Sequence, residues 1–125
     1  ARCYMEDANE QLLTIVQIET QEAVDRIDEI AAVPGVDVLY LGPGDLSVAL
    51  GIPGQVEDPR VIEVAEQIVR ACEQHSKIAG SHFVNASMLK KIHACGMQLG
   101  GFGAAVRMLQ FGIEEMAQRA RSALS

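Results

Sequence analysis

Short apolar stretches rich in β-branched residues alternate along the chain with longer stretches whose apolar residues recur at helical spacing. An uninterrupted apolar run of about four to eight residues is typical of a strand buried on both faces of a parallel sheet. The pattern predicts strands at residues 13–19, 36–41, 78–83 and 97–102. It predicts helices at residues 21–32, 46–50, 59–76 and 106–124, and one more that ends at residue 93.

Boundary residues support these helices. Thr20 is a suitable N-cap for the first, and the pair Asp58-Pro59 is a cap followed by a favourable first helical residue. Either Asn85 or Ser87 caps the helix that ends at residue 93. Within the last helix, Gly112 is a candidate interruption.

Four successive βα units without a linker predict a single domain over residues 1–125 with an α/β fold. A (β/α)8 (TIM) barrel contains eight such units in about 250 residues, so four units correspond to half a barrel. An isolated four-unit sheet would leave its first and last strands with unpaired edges. Either the sheet is open and doubly wound, or a second half completes it, from another copy of the chain or from further sequence. The sequence starts without Met and in a pattern typical of the end of a helix. We therefore expect the second half to come from further sequence.

Composition narrows the possible partners. The chain has 17 acidic and 10 basic residues, and its largest basic cluster is the pair Lys90-Lys91. This argues against a nucleic acid or a membrane surface as a partner. No apolar run approaches the roughly 18 residues of a membrane span, and the polar start is unlike a signal peptide. Cys3, Cys72 and Cys95 are odd in number and far apart, so we expect reduced thiols in a cytoplasmic protein, with the last two as core residues.

Two acidic residues follow predicted strands and are the main candidates for chemistry. Glu19 closes the first strand, and Asp45 comes shortly after the second. Parallel βα units carry their functional residues at the carboxyl ends of the strands, and hard divalent cations bind carboxylate oxygens. From the spacing alone, helix capping by Glu19 and Asp45 is an equal alternative to metal binding.

The sequences around these two acids resemble those of the class II pyruvate aldolases of the HpcH/HpaI family, within the phosphoenolpyruvate/pyruvate superfamily. The resemblance rests on QIET at residues 17–20, on GPGDLS at residues 42–47, and on the 26 positions from Glu19 to Asp45. It covers nearly the whole chain but only the C-terminal half of such a protein, and it implies half of a TIM barrel.

The resemblance implies roles for individual residues. Glu19 and Asp45 match the family's metal-binding carboxylates, which usually hold Mg²⁺ or Mn²⁺. Gln17 matches a catalytic-site side chain near the pyruvate oxygens. Gly44 and Asp45 match the loop whose backbone N–H groups bind the pyruvate carboxylate, and the lack of a Cβ at Gly44 would permit the close approach that this binding requires.

The implied reaction is that of a divalent-metal-dependent lyase. The enzyme would form or cleave 4-hydroxy-2-oxo acids through a pyruvate enolate, with pyruvate and an aldehyde as partners. The family resemblance also implies a homo-oligomer that exchanges its last helix between subunits. The His and Arg that assist proton transfer and anchoring in the family belong to the N-terminal half, so they have no counterpart here.

Other residues have weaker links to chemistry. His82, at a predicted strand end in a segment atypical of the family, is either a proton shuttle or a structural residue. Arg107 could meet an anion or lie on a helix surface. The glycine-rich residues 100–103 lack a dinucleotide fingerprint and are only a weak phosphate-loop candidate, and the segment 99–106 lacks the Asp that commonly follows the last strand in relatives. The last helix carries an apolar stripe that suits core or subunit packing: Met108, Leu109, Phe111, Ile113 and Met116.

Two alternatives to the aldolase interpretation stay open. One is a non-catalytic half-barrel that assembles by pairing and lacks the base and the Arg. The other is a superfamily lyase acting on an acyl-CoA thioester, for which a basic CoA-binding patch would be the signature; the sequence contains no such patch.

Overall fold

The computed structural model of the chain describes residues 2–124, with side chains described from residue 7 onward. The side chain of Cys3, expected to be a reduced thiol, lies outside the described residues. The strands are β1 (Ile15–Ile18), β2 (Val38–Leu41), β3 (Ile78–Phe83) and β4 (Leu99–Phe102). The helices are α1 (Arg2–Gln11), α2 (Gln21–Asp25), α3 (Ile27–Ala31), α4 (Pro43–Ala49), α5 (Pro59–Gln74), α6 (Ala86–Ala94) and α7 (Ala105–Ala123).

The four strands form one parallel sheet in the order β1-β2-β3-β4. One face of the sheet is covered by helices: Leu39 and Leu41 of β2 and Ala79 of β3 are buried in the same core as Ile68 of α5. The sheet confirms the predicted α/β fold of four βα units. Sequential strand order is that of a singly wound sheet, so the described residues do not form the doubly wound alternative.

The helix predicted over residues 21–32 is broken in two at Arg26. The Arg26 backbone leaves the helical region (φ −121°, ψ 21°), and its N–H donates to the carbonyl of Ala23 at 3.2 Å, only three residues back. None of α2 is buried, whereas Ile27 and Ala31 of α3 are. The break therefore redirects the chain so that α3 enters the core, a tertiary effect that local periodicity does not reveal.

The long helix α5 supplies much of the core and follows its predicted signals closely. Asp58 is its N-cap, accepting a hydrogen bond from the Arg60 backbone N–H at 2.9 Å, and Pro59 opens it. Cys72 is buried in the core as predicted, and burial raises the pKa of its thiol. Cys95 is half-buried against the same core, and burial raises its pKa as well.

Helix α7 runs without interruption through Gly112, contrary to the break considered there. It contains no buried residue: Leu109 is 65% exposed and Met116 is 72% exposed. Core packing of its apolar stripe is therefore wrong for the described chain, and subunit packing stays a prediction. Within residues 2–124, no helix has the length and apolar character needed to span a membrane.

A polar cluster around Glu57 joins the segment before α5 to the start of α6. The Glu57 carboxylate accepts hydrogen bonds from the Lys91 ammonium (2.9 Å), the Ser87 hydroxyl (2.8 Å) and the Asn85 amide (3.1 Å). Asn85 also caps α6, accepting from the Met88 backbone N–H at 2.8 Å. The hydrogen bonds from Lys91, Ser87 and Asn85, in that order of importance, lower the pKa of Glu57 to about 2. The cluster thus holds the β3–α6 connection in place.

We predict that Glu57 stabilises the fold in a pH-dependent way. Its pKa is about 2 in the folded chain against 4.5 as the ordinary value, so its contribution is complete above pH 4.5 and is lost as the pH falls toward 2. Glu57→Gln should therefore lower the free energy of unfolding at pH 7, with a difference from the unmodified chain that shrinks between these pH values. Urea unfolding followed by circular dichroism measures this. The exposed Glu73→Gln serves as the control, and a Glu57→Gln deficit constant across the pH range would contradict the prediction.

Candidate functional site

The face of the sheet opposite the helices carries residues in layers that cross the strands. Parallel register places Gln17 of β1 beside Tyr40 of β2, and Tyr40 beside Gly80 of β3. One layer closer to the carboxyl ends, His82 of β3 lies beside Gly101 of β4. Because side chains alternate between the two faces of a sheet, these residues share the uncovered face. The candidate residues therefore gather at the carboxyl end of that face.

Gln17 and Glu19 are in direct contact at the end of β1. The Gln17 amide donates a hydrogen bond to Oε2 of Glu19 at 2.5 Å. Both side chains lie against Gly42, the residue after β2: a Cβ there would be 2.6 Å from Gln17 Nε2 and 2.8 Å from Glu19 Oε2. The Gly42 N–H donates to the carbonyl of Ile18 at 3.0 Å and ties the two strand ends together. The missing side chain of Gly42 thus leaves room for the amide–carboxylate pair.

Asp45 lies in the first turn of α4, three residues after Gly42. Gly42 is the N-cap of this helix and Pro43 its first residue, so the predicted start at Leu46 is wrong, and so is the alternative of Asp45 as its N-cap. Pro43 starts the helix early because its ring presets a helical φ and the first position needs no N–H donor. The structure brings Gln17 and Glu19 into contact and places the exposed Asp45 on the helix that begins beside them.

The capping alternative for Glu19 is also wrong. Thr20 is the N-cap of α2, as predicted, and its hydroxyl oxygen accepts from the Ala23 backbone N–H at 3.2 Å. Glu19 is half-buried, and the hydrogen bond that it accepts comes from Gln17. Its carboxylate is therefore oriented by a neighbouring side chain rather than by a helix end.

The two glycines of the β2–α4 segment differ in their surroundings. A Cβ on Gly44 would meet nothing within 4 Å, whereas a Cβ on Gly42 would meet Gln17 and Glu19; the close approach of pyruvate expected at Gly44 stays a prediction. Gly44 and Asp45 are the second and third residues of α4. The N–H groups in the first turn of a helix have no partner within that helix, so both residues have backbone donors that α4 itself leaves unused.

Tyr40 extends across the uncovered face towards β4 and was not among the predicted site residues. A Cβ on Gly80 would lie 2.8 Å from Tyr40 Cδ2, and a Cβ on Gly101 would overlap the Tyr40 hydroxyl. Partial burial raises the pKa of Tyr40, while a hydrogen bond with the Gly101 backbone acts in the opposite direction. Gly80 and Gly101 make room for the Tyr40 side chain, so they are the sequence signal for its position. They could be matched to Tyr40 only once the strand register was known.

The uncovered face carries a cavity of about 450 Å³ that is wide open to solvent. Its lining residues come from β1, β2 and β4: Ile15, Gln17, Tyr40, Leu99, Gly100 and Gly101. His82 adjoins it, since its Nδ1 is 3.5 Å from the position that a Cβ on Gly101 would take. The cavity therefore extends from Gln17 to Tyr40 and the glycines of β4.

Two weaker sequence candidates lie outside this arrangement. Gly100 and Gly101 belong to strand β4 and not to a loop before a helix, so the phosphate-loop interpretation is wrong. Arg107 is exposed in the first turn of α7, which agrees with the helix-surface interpretation.

The donor set suits a hard divalent cation that shares its ligands with substrate. Mg²⁺ typically takes one or two protein carboxylates and completes its shell with substrate oxygens and water. Glu19 and Asp45 could supply those carboxylates, since the Gln17 hydrogen bond leaves Oε1 of Glu19 unengaged and Asp45 is exposed. In the described chain, no group of three or more His, Cys, Asp or Glu side chains could hold a metal ion by itself. These residues therefore suit an ion that completes its coordination shell with substrate and water.

Comparison with protein families then identifies the chain. The model of the HpcH/HpaI aldolase/citrate lyase family matches residues 2–109. The chain belongs to this family. The membership expected from residues 17–20 and 42–47 is thereby confirmed.

Similar proteins of this family include two named aldolases. A 2-keto-3-deoxy-L-rhamnonate aldolase of Klebsiella pneumoniae subsp. pneumoniae is 36% identical over 100 residues, covering 80% of this chain and 38% of the relative. A 4-hydroxy-2-oxo-heptane-1,7-dioate aldolase of Escherichia coli is 32% identical over 116 residues, covering 93% of this chain and 44% of the relative. The chain therefore spans less than half the length of these curated relatives.

A solved structure gives the same result for the fold. The crystal structure of an HpcH/HpaI aldolase from Desulfitobacterium hafniense superposes with a TM-score of 0.82 at 31% identity, covering 96% of this chain and 47% of that chain. The predicted half of a TIM barrel is confirmed, because the relatives are TIM barrels and this chain corresponds to about half of one.

We predict that a side chain at Gly42 will separate the Gln17 amide from Glu19. In Gly42→Ala, the new methyl group takes the space now occupied by Gln17 Nε2 and Glu19 Oε2. Both atoms end flexible side chains and should swing away, but the methyl group would also lie 3.0 Å from Glu19 Cβ, so the cost should exceed the roughly 1 kcal/mol that their hydrogen bond is worth. The Gln17 side-chain amide signals in ¹H–¹⁵N spectra should then shift. Gly44→Ala is the matched control, since its methyl group meets nothing within 4 Å; equal shifts in both variants would contradict the prediction.

Proposed function

We propose that this chain carries the metal-binding and pyruvate-binding half of a divalent-metal-dependent aldolase, a lyase acting on 4-hydroxy-2-oxo acids through a pyruvate enolate. The observation that carries the proposal is the Gln17–Glu19 pair packed against Gly42 at the start of α4. The names of the aldolase relatives support the substrate class. Because the chain spans less than half of those relatives, the activity of the whole protein is part of the proposal.

In this proposal Glu19 and Asp45 hold Mg²⁺ or Mn²⁺. When bound, such a cation stabilises negative charge on the oxygens of pyruvate. The hydrogen bond from Gln17 occupies Oε2 of Glu19, so the carboxylate is held in one orientation with Oε1 available. Through the same amide, Gln17 would also contact the substrate oxygens, since it lies two positions before Glu19 on the same face of the strand.

The backbone of α4 completes the proposed pyruvate site. The N–H groups of Gly44 and Asp45 would donate hydrogen bonds to the pyruvate carboxylate, because the first turn of a helix leaves these donors without intrahelical partners. The side chain of Asp45 would thus bind the metal ion, and its backbone N–H would bind the pyruvate carboxylate. A substrate bound in this way spans from α4 to the end of β1, where Gln17 and Glu19 lie.

Exchange of the pyruvate methyl protons in D₂O, followed by NMR, tests the enolisation step without any choice of aldehyde. We expect exchange to require added Mg²⁺ or Mn²⁺ and to stop when EDTA is added. Glu19→Gln should slow it by about a hundredfold or more, since loss of even an indirect metal contact typically costs 10- to 100-fold. Glu63→Gln, an exposed carboxylate on α5, is the matched control and should exchange at the unmodified rate.

Two outcomes would count against this proposal. If the folded chain with added metal shows no exchange, these 125 residues do not carry a working enolate site. If Glu19→Gln and Glu63→Gln exchange equally fast, enolisation takes place without the Gln17–Glu19 pair.

We also propose that the chain forms a homo-oligomer through α7, in which a second copy covers the exposed apolar side of this helix. Val106, Leu109, Ile113 and Met116 follow one another at intervals of three, four and three residues, the spacing of a seam between packed helices. All four are largely exposed within one chain. Burial of such a seam against a second helix would remove these side chains from water.

The double substitution Leu109→Glu with Ile113→Glu tests this association. Light scattering after size-exclusion chromatography should give a mass of two or more chains for the unmodified protein and a smaller mass for the variant, because charges cannot be buried unpaired in an apolar seam. Gln118→Glu, which adds a charge on the same helix outside the seam, should leave the mass unchanged. A monomeric unmodified chain would refute the proposal.

A further inference from the structure

We propose that Ser47 is a positioning residue of the pyruvate site, whose buried hydroxyl holds the peptide unit between Gly44 and Asp45 so that the Asp45 N–H points at the pyruvate carboxylate. The inference rests on the proposed aldolase function and deepens it. It assigns to a side chain that does not touch substrate the task of orienting a group that does.

The Ser47 side chain is enclosed by the protein and is hydrogen-bonded both as donor and as acceptor. Among the described residues, Ser47 and Ser81 are the polar residues that are completely buried. The Ser47 hydroxyl donates to the Gly44 carbonyl at 2.6 Å and accepts from the Gly54 backbone N–H at 3.0 Å. Buried polar groups are costly to leave without partners, so these two bonds fix the direction of the hydroxyl.

The bond to Gly44 acts on the peptide unit that also contains the Asp45 N–H. A trans peptide unit is planar, and its carbonyl and its N–H point in opposite directions. By holding the Gly44 carbonyl, the Ser47 hydroxyl therefore sets the direction of the Asp45 N–H, towards the start of α4. The proposed function assigns this same N–H to the pyruvate carboxylate.

Gly44 is a position that benefits from such a restraint. It has no side chain, and a Cβ there would meet nothing within 4 Å, so side-chain packing does not fix its backbone. Glycine also loses more conformational freedom on ordering than any other residue. The Ser47 hydroxyl restrains Gly44 from inside the protein and leaves its other side exposed to a ligand.

The bond from Gly54 connects Ser47 to a fixed part of the structure. Gly54 belongs to the turn after α4, where its φ of +79° suits glycine. The same turn is joined to Ser47 a second time, since the Ile52 N–H donates to the Ser47 carbonyl at 2.8 Å. Ile52 itself is buried in the hydrophobic core. Ser47 therefore links the peptide unit of Asp45 to a turn that the core holds in place.

The bonds also form a continuous chain, from the Gly54 N–H through the Ser47 hydroxyl to the Gly44 carbonyl and so to the Asp45 N–H. Hydrogen bonds in such a chain polarise one another. A carbonyl that accepts a hydrogen bond leaves more positive charge on the N–H of its own peptide unit. The Asp45 N–H is thereby a stronger donor, and an anionic acceptor such as a carboxylate gains most from this.

Substitution of Ser47 tests the inference through the pyruvate concentration that gives half-maximal methyl-proton exchange in D₂O. In Ser47→Ala, this concentration should rise by about three- to tenfold at saturating Mg²⁺, as for the loss of one hydrogen bond. The maximal exchange rate should stay unchanged, because the substitution weakens pyruvate binding and leaves both metal-binding carboxylates, Glu19 and Asp45, in the chain.

Two further variants separate positioning from a purely structural role. Ser47→Thr keeps the hydroxyl and should restore most of the pyruvate affinity that Ser47→Ala loses. Ser81→Ala is the matched control, since it removes the other buried hydroxyl, which donates to the His82 carbonyl at 2.9 Å. It should leave the half-maximal pyruvate concentration unchanged.

A measurement on the unmodified chain gives a readout without any variant. With Mg²⁺ present, addition of pyruvate should shift the backbone amide ¹H signal of Gly54, because the hydrogen-bond chain links that N–H to Asp45. The Gln55 N–H donates instead to the Ile52 carbonyl at 3.0 Å, outside the chain, and its signal should not move. If Ser47→Ala does not fold, the Gly54 signal decides: a shift supports the inference, and no shift overturns it.

The outcomes distinguish this inference from the proposed function. If pyruvate exchanges its methyl protons but the half-maximal concentration is the same in Ser47→Ala and the unmodified chain, the inference is overturned and the proposed function stands. The same holds if Ser81→Ala raises that concentration as much as Ser47→Ala. If there is no exchange in the unmodified chain, both are overturned. A rise in Ser47→Ala alone, largely reversed in Ser47→Thr, supports the inference.

Discussion

A parallel sheet needs cover on both of its faces, and this requirement explains the arrangement of the chain. The face towards the helices is closed by α3, α5 and α6, and its strand residues are buried. The other face has no such cover from the described chain, so Ile15 is 48% exposed and Ile78 is 40% exposed. The same uncovered face carries Gln17, Tyr40 and His82. The uncovered face therefore accounts for both features: it exposes apolar surface that a complete barrel would bury, and it carries the residues suited to chemistry.

Within that face, glycine positions decide which side chains can meet. Gly42 provides the space in which Gln17 contacts Glu19, and Gly101 provides the space in which the Tyr40 hydroxyl approaches His82. In each case the side chain comes from a different strand than the glycine, so the contact depends on strand register. A change of register by one residue would reverse the faces of a whole strand, which would move the Gln17–Glu19 pair away from Gly42 and the Tyr40 hydroxyl away from Gly101.

The pattern of apolar residues predicted the four strands, helix α5 and the caps Thr20, Asp58 and Asn85, because these depend on local periodicity and capping chemistry. The break at Arg26 and the early start of α4 at Pro43 were not predicted, since tertiary packing and proline geometry outweighed the helical period.

Among the candidate site residues, Gln17 and Glu19 were predicted and lie together, but the packing of both against Gly42 was not predicted, because it depends on how β1 pairs with β2. Tyr40 was missed because its neighbours are defined only by the sheet.

The scarcity of clustered basic residues helps to choose between an acyl-CoA lyase and an aldolase as the proposed function. A lyase acting on an acyl-CoA needs basic residues for the phosphates of that thioester. The sequence has only one pair of adjacent basic residues, Lys90-Lys91, and Lys91 is bound to Glu57 at 2.9 Å. The polar groups near the cavity are instead an amide, a phenol and an imidazole, which suit hydroxyl and carbonyl oxygens better than phosphates. A small aldehyde is therefore the second substrate that the proposed aldolase function would assign to this face.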